Sequence, residues 1–217
     1  MKCVAVVVLL SLFSLGHSAP LSSCDSLITP ITISKEEMLG KWLYIGGSSD
    51  LPGSRSLGHL MTSVWLDITA TTKSNILNLI QTQRIYGKCS SLLYNVTFEN
   101  STMLIEQPFY LKEVYLPTDC SDCLVVYEEI TSGKDTFTSL MLFSKTNSVS
   151  PAVLEMFKTQ VECLQMPSAI MIDTNSEICP DNISPSEGLS ALNSLLEAKM
   201  GHRVARILDS LFDMFVN

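Results

Sequence analysis

From Trp42 to Ser144 the chain runs in short stretches of alternating apolar and polar residues. They predict eight strands, roughly 42–48, 60–70, 75–86, 89–99, 102–107, 109–115, 123–130 and 136–144. Turn-forming clusters separate most of them: Ser48 to Gly58, Thr69 to Ser74, Glu99 to Ser101, Pro117 to Asp122 and Ser132 to Asp135. Many short strands at regular spacing predict an all-β sandwich or barrel. Bulky apolar residues on the inner rows favour an eight-stranded antiparallel up-and-down barrel, wide enough for one small ligand.

The period of two assigns faces. In the second strand Leu60, Thr62, Val64, Leu66 and Ile68 share one side, and Met61, Ser63, Trp65 and Asp67 share the other. The fourth strand carries a sequon, Asn95-Val-Thr97, and a glycan there must face water. Leu93, Thr97 and Glu99 then face out, while Leu92, Tyr94, Val96 and Phe98 face in. The inward row is the large apolar one, so sequon and hydrophobic pattern agree independently.

After residue 150 the period changes. Ser150 suits an N-cap and Pro151 a first turn, and Val153, Leu154, Phe157, Val161 and Leu164 recur at helical spacing. Residues 168–173 predict a short extended segment. Pro180 to Gly188 reads as a linker, and 189–216 as one amphipathic helix with Leu189, Leu192, Leu196, Met200, Val204, Ile207, Leu208, Leu211, Phe212 and Phe215 on its apolar stripe. Its polar face mixes Glu197, Lys199, Arg203, Arg206, Asp209 and Asp213. That mixture favours docking on the barrel or self-association over binding to anionic lipid, with lipoprotein association the third reading.

The amino terminus adds a compartment. Met1-Lys2, an apolar run from Val4 to Leu15 and the small residues Gly16 and Ser18 predict a signal peptide over residues 1–18. The expected organisation is signal peptide 1–18, barrel with its helix 19–180, and linker and helical tail 181–217, in a secreted, extracellular protein. Net charge is −8, or about −9 without Lys2, and there is no basic cluster, so nucleic acid is not an expected partner.

Of seven cysteines, six follow the signal: Cys24, Cys89, Cys120, Cys123, Cys163 and Cys179. An even number in a secreted chain predicts disulfides, although spacing leaves all pairings open. Cys120-Ser-Asp-Cys123 has redox or zinc spacing. No second such pair exists, and the only histidines after the signal are His59 and His202, so a local disulfide is favoured. Asn100-Ser-Thr102 and Asn182-Ile-Ser184 are further sequons. Gly53 to Gly58 misses the spacing of a nucleophile elbow, no catalytic grouping stands out, and neither enzyme activity nor a cofactor or metal is expected.

GKWLYIGG, residues 40–47, opens the first strand. Gly40 allows a tight entry, and Trp42 can floor a barrel with more area than any other side chain. On spacing alone an ordinary core tryptophan reads the same way. Gly40-Lys41-Trp42 at this place resembles the lipocalin signature. With QTQRIYGKC (81–89), YNVTFENST (94–102), FKTQVECLQMP (157–167) and Cys179, the chain is similar to the α1-acid glycoprotein subgroup. The likest relatives there are fish plasma proteins that bind tributyltin, or saxitoxin and tetrodotoxin; apolipoprotein M is a more distant cousin with a similar opening. The resemblance spans about residues 24–180. It implies Cys24–Cys163 and Cys89–Cys179 bridges, leaving Cys120 and Cys123. The family's Thr-Asp-Tyr group and late arginine are absent, so no basic residue can be assigned to pack over Trp42.

The face argument predicts a cavity lined by Tyr44, Leu66, Ile68, Leu79, Gln81, Gln83, Tyr94, Val96, Phe98, Tyr127, Met141 and Phe143. The resemblance places Tyr44, Leu66, Ile68, Gln81, Gln83 and Phe143 at cavity positions, with Phe143 where relatives can present a tyrosine. Gln81 and Gln83 are the expected polar handles. Each position would serve equally as plain core. The expected function is carriage of a small hydrophobic or amphipathic ligand: a xenobiotic, a toxin or a lipid. An apolipoprotein M-like lipid-associated protein is the alternative. A guanidinium ligand would call for an inward carboxylate, and the pattern assigns none.

Overall fold

The computed structural model describes residues 24–197 and 205–210. The expected signal peptide lies outside them, as does the rest of the tail. Two short helices, α1 (Cys24–Ile28) and α2 (Lys35–Met38), precede β1 (Gly40–Ser49). Helix α3 (Ser54–Leu60) leads to β2 (Met61–Ala70), β3 (Ile76–Ile85), β4 (Lys88–Glu99), β5 (Thr102–Ile105), β6 (Tyr110–Leu116), β7 (Cys123–Ser132) and β8 (Asp135–Ser144). Helix α4 (Pro151–Cys163), β9 (Ile170–Met171), β10 (Ser186–Glu187) and α5 (Leu189–Glu197) follow, and 205–210 is helical.

Strands β1 to β8 pair antiparallel with their neighbours in sequence, and β8 returns to β1. The result is the expected eight-stranded closed barrel. Closure at β4 and β5 is partial, because β5 is four residues long and meets β4 only at Thr97 to Glu99. The parallel strand β10 takes up β4 further along, at Leu92 and Leu93. Residues 180–188 therefore include a strand where the sequence predicts only a linker. Segment 168–173 supplies β9, which lies on Gly46 and Gly47 of β1. A Cβ on Gly46 would fall 2.5 Å from the Met171 sulfur, which explains a glycine at this crossing.

The barrel has two apolar layers. Trp42, Ile68, Leu77, Val96, Tyr115, Val126 and Phe143 pack inside it. Ile45, Val125, Leu140 and Leu142 face outward and are covered by Val153, Phe157 and Val161 of α4. The helix starts where the sequence predicts: Ser150 caps it by accepting from the Val153 amide, and Pro151 occupies the first turn. Its buried Gln160 donates to the carbonyls of Leu27 (2.9 Å) and Pro117 (2.8 Å), tying α4 to α1 and to the β6–β7 loop.

Three disulfides are formed. Cys24–Cys163 and Cys89–Cys179 follow the pairing that the resemblance implies, and Cys120–Cys123 is the local bridge. The first two span sequence separations of 139 and 90 residues. Long loops of that kind make each bridge worth about 4 kcal/mol through the unfolded chain.

Two details depart from the sequence reading. The Ser48 to Gly58 cluster holds helix α3, which enters after Gly53 in the left-handed region (φ 88°). Register also shifts between Met61 and Ser63, so Met61 turns toward the interior while Thr62 is exposed. A strict alternation through this bulge assigns both residues to the wrong side.

Candidate ligand cavity

Trp42 forms the floor. Gly40 precedes it with φ 101°, a conformation glycine adopts without the penalty a side chain would bring. The Trp42 ring is 2% exposed, and its Nε1 donates to the Met38 carbonyl at 2.9 Å. That carbonyl sits at the end of α2, which a reciprocal cap secures: the Glu37 amide donates to the Ser34 hydroxyl and the Ser34 amide donates to the Glu37 carboxylate. These bonds hold the Glu37 carboxyl below its usual range, the Ser34 amide contributing most. Lys145 places its Nζ 4.9 Å from the centre of the Trp42 ring. A basic residue therefore does pack over the floor, as a lysine just beyond β8.

Above the floor lies a pocket of about 90 Å³ that includes Trp42, Ile68 and Leu79 in its wall. It adjoins a cavity of about 310 Å³, within the size range of small-molecule sites. Tyr44, Leu66, Gln81, Gln83, Tyr94, Val96, Met141 and Phe143 lie on the wall of the larger space. Tyr44 and Phe143 meet edge to face at 5.5 Å. A polar chain crosses this wall: Tyr94 Oη donates to Gln81 Oε1 at 2.9 Å, and Gln81 Nε2 donates to Gln83 Oε1 at 3.1 Å. Burial holds the Tyr44 and Tyr94 hydroxyls firmly protonated.

Two expected lining residues lie elsewhere. Phe98 faces inward but packs with Tyr115, ring centres 6.5 Å apart, away from the cavity wall. Tyr127 is a correction. It packs with the outer layer, because Val126 and Glu128 take the inward positions of β7.

The site also holds what the sequence reading left out. Glu113 of β6 and Glu128 of β7 are directly opposite in register, and both line the two pockets. Ser139 of β8 is opposite Glu128 in register. Desolvation, and then mutual repulsion, holds the Glu113 carboxyl well above the usual carboxylate range. Desolvation pushes Glu128 up to about 7. The pair accordingly keeps a proton near neutrality.

The mouth lies at the α3 end, where a further space of about 430 Å³ is walled by α3, Met141, Ile170, Leu196 and Ala205. Leu196 of α5 reaches the inner cavity as well. Glu187 caps the start of α5 through the Leu189 and Ser190 amides. Asp209 accepts from the Gly53 amide (2.8 Å), the Ser56 amide (2.8 Å) and the Ser56 hydroxyl (2.7 Å). The described tail residues thus dock across the mouth. Asn95, Asn100 and Asn182 are all exposed.

A hollow antiparallel barrel with a tryptophan floor, an outer helix and one open end defines a lipocalin. The ApoM domain family matches residues 8–183, and the chain belongs to that family of lipocalins. Its members are non-enzymatic binding proteins. Epididymal-specific lipocalin-6 of Homo sapiens is 23% identical over 124 residues, 56% of this chain and 76% of the relative. Two solved structures share the fold. The siderocalin Ex-FABP, said to function through dual ligand specificities, is 15% identical with a TM-score of 0.54, over 66% of this chain and 97% of its own. Siderocalin Q83, with a dual ligand binding mode, is 17% identical with a TM-score of 0.58, over 68% and 96%.

Proposed function

We propose that the protein is a secreted carrier that encloses one small hydrophobic or amphipathic molecule in the barrel and moves it through extracellular fluid. One observation carries this reading: a cavity of about 310 Å³, mostly apolar, with a few converging polar groups. Burying an apolar ligand there at about 25 cal/mol per Å² supplies the drive, and Gln81, Gln83, Tyr94 and the two glutamates orient the guest. Xenobiotics and toxins are the ligand classes that the motif resemblance favours. The disulfides support an oxidising compartment, and the exposed asparagines support glycosylation at Asn95, Asn100 and Asn182.

Lipid association through the tail is the second reading, and the ApoM domain match speaks for it. Against it, Leu196 is spent on the cavity and Asp209 on α3.

The test is mass spectrometry of small molecules released from the secreted protein, with titration of tryptophan fluorescence by a neutral apolar probe. A stoichiometric guest and saturable quenching are expected. A barrel that releases nothing and shows no quenching contradicts the carrier reading. Flotation of the full chain with lipid particles, abolished by removing residues 189–217, would favour the second.

A further inference from the structure

We propose that Leu196 of α5 is the cap that sets the length of the guest: it closes the inner cavity at the mouth, so the barrel takes a compact apolar body and turns away a long chain. This deepens the carrier reading and rests on it.

The position of Leu196 carries the argument. Six residues lie on the walls of both the inner cavity of about 310 Å³ and the outer space of about 430 Å³: Tyr44, Leu51, Leu57, Met61, Met141 and Leu196. Together they form an apolar collar between the two spaces. Five of them come from β1, α3 and its approach, β2 and β8. The sixth, Leu196, comes from the tail, is partly buried, and packs against the inner apolar cluster.

The chain reaches that point along a fixed path. Cys179 is bridged to Cys89 near the start of β4, and the chain then lies along β4 as β10. Ser186 Oγ donates to the Ser91 carbonyl (3.3 Å), and the Gly188 amide donates to the Leu93 carbonyl (2.9 Å). Gly188 lies so close that a Cβ there would fall 2.8 Å from the Tyr94 ring. Glu187 caps α5, and Leu189 packs on the same inner cluster as Leu196. In a closed ring of eight strands β8 stands opposite β4, so a helix that starts on β4 and ends beside Met141 of β8 crosses the mouth. From Leu189 to Leu196 it advances about 10 Å. Strand β10 and α5 thus make a strap pinned at its root, and Leu196 is the side chain it contributes to the collar.

The cap acts through burial. Each methylene that enters an apolar space tightens binding about fourfold, and a methylene left in water adds nothing. A chain that fills the inner cavity and the pocket of about 90 Å³ beneath it meets the collar at Leu196. To go further it must expel a leucine already packed there, which forfeits as much burial as it gains. Trimming Leu196 joins the inner cavity to the outer space, whose wall is also mainly apolar, and the gain per methylene resumes.

The experiment uses the secreted full chain and straight-chain alkanols of about six to sixteen carbons, titrated by calorimetry below their solubility limits. Their heads are identical and uncharged, so the series reports length alone. In the native protein affinity is expected to rise about threefold to fourfold per carbon, and beyond a limiting length by less than about 1.5-fold. Leu196→Ala moves that limit out by at least about two carbons, Leu196→Phe moves it in, and Leu196→Met leaves it in place. The shortest alkanols bind all four proteins alike, which shows that the variants are folded. Affinity that climbs without a limit in the native protein overturns the inference and leaves the carrier reading intact. So does a limit that Leu196→Ala does not move. Failure of every alkanol to bind overturns both.

Discussion

Asp209 accepts hydrogen bonds from both the backbone amide and the hydroxyl of Ser56, at 2.8 and 2.7 Å, and so fastens the 205–210 helix to α3 beside the cavity mouth. Its other carboxylate oxygen takes the Gly53 amide. Between this latch and the β10 pairing with β4, α5 places Leu196 against the cavity. Leu196 and Ala205 both lie on the wall of the space at the mouth.

Asp209→Ala removes a charged acceptor from three donors. Bonds to a charged group contribute about 1.5–3 kcal/mol net, so the strap should open at least about tenfold more often. Stopped-flow fluorescence should show faster entry and faster release of a neutral apolar guest, with equilibrium affinity changed much less than either rate. Thermal unfolding of the barrel should be nearly unaffected. An unchanged release rate would mean that guests leave by another route.

Trp42 joins three parts of the fold: its indole donates to Met38, its ring carries Lys145, and its face floors the deeper pocket. Trp42→Phe keeps a ring but loses the bond and much of the cation contact, and should cost about 2 kcal/mol. Trp42→Ala adds a cavity and should cost about 3–5 kcal/mol. Urea unfolding followed by circular dichroism measures both, and equal costs would show that the indole N–H bond, not ring volume, sets the loss. Lys145→Met, which keeps the apolar stem, should cost about 0.5–1 kcal/mol.

Much of this was legible before any coordinates, and what was not has identifiable causes. Asn95 set the phase of β4, and the long β3–β4 ladder, Leu79 opposite Tyr94, carries the same phase to its neighbour. No such marker exists on β6 or β7. On β6 one row holds Leu111, Glu113 and Tyr115, and the other holds Tyr110, Lys112, Val114 and Leu116, each with one charge. On β7 both rows are apolar to begin with, because α4 buries Val125 on the outside while Val126 is buried within. Alternation reports a face only where one side meets water. That is why Tyr127 was expected inside and the two glutamates were not. The approach of Lys145 to Trp42 is not legible in the sequence, because it depends on how β8 returns to β1, which no local pattern encodes.

Gln160 offers a test of the outer layer. It is 0% exposed, and its amide nitrogen bonds two carbonyls from separate segments. Gln160→Leu preserves volume but leaves the Leu27 and Pro117 carbonyls without this donor, and should cost about 2–3 kcal/mol. The loss should be similar with the Cys24–Cys163 bridge intact, since the disulfide restrains the unfolded chain while Gln160 acts on the native one. Chemical denaturation of the oxidised protein decides; a loss below about 0.5 kcal/mol would mean that water replaces the amide.

The glutamate pair makes the empty barrel respond to pH with a definite sign. Both carboxyls bind protons more tightly in the folded state than in the unfolded chain, Glu128 near 7 and Glu113 well above the ordinary carboxylate range. From about pH 4.5 upward the native state therefore holds more protons than the unfolded one, and stability contributed by the pair declines as pH rises toward and beyond 7. Below about pH 4.5 both states are protonated and that contribution levels off. Glu113→Gln/Glu128→Gln abolishes this titration while keeping the hydrogen-bonding shape. The difference in unfolding free energy, variant minus native protein, isolates the pair from every other group. It should be small at about pH 5 and grow to about 2 kcal/mol or more in favour of the variant by about pH 8. A difference that stays flat across that interval would show that the two carboxyls are hydrated well enough to ionise like surface groups.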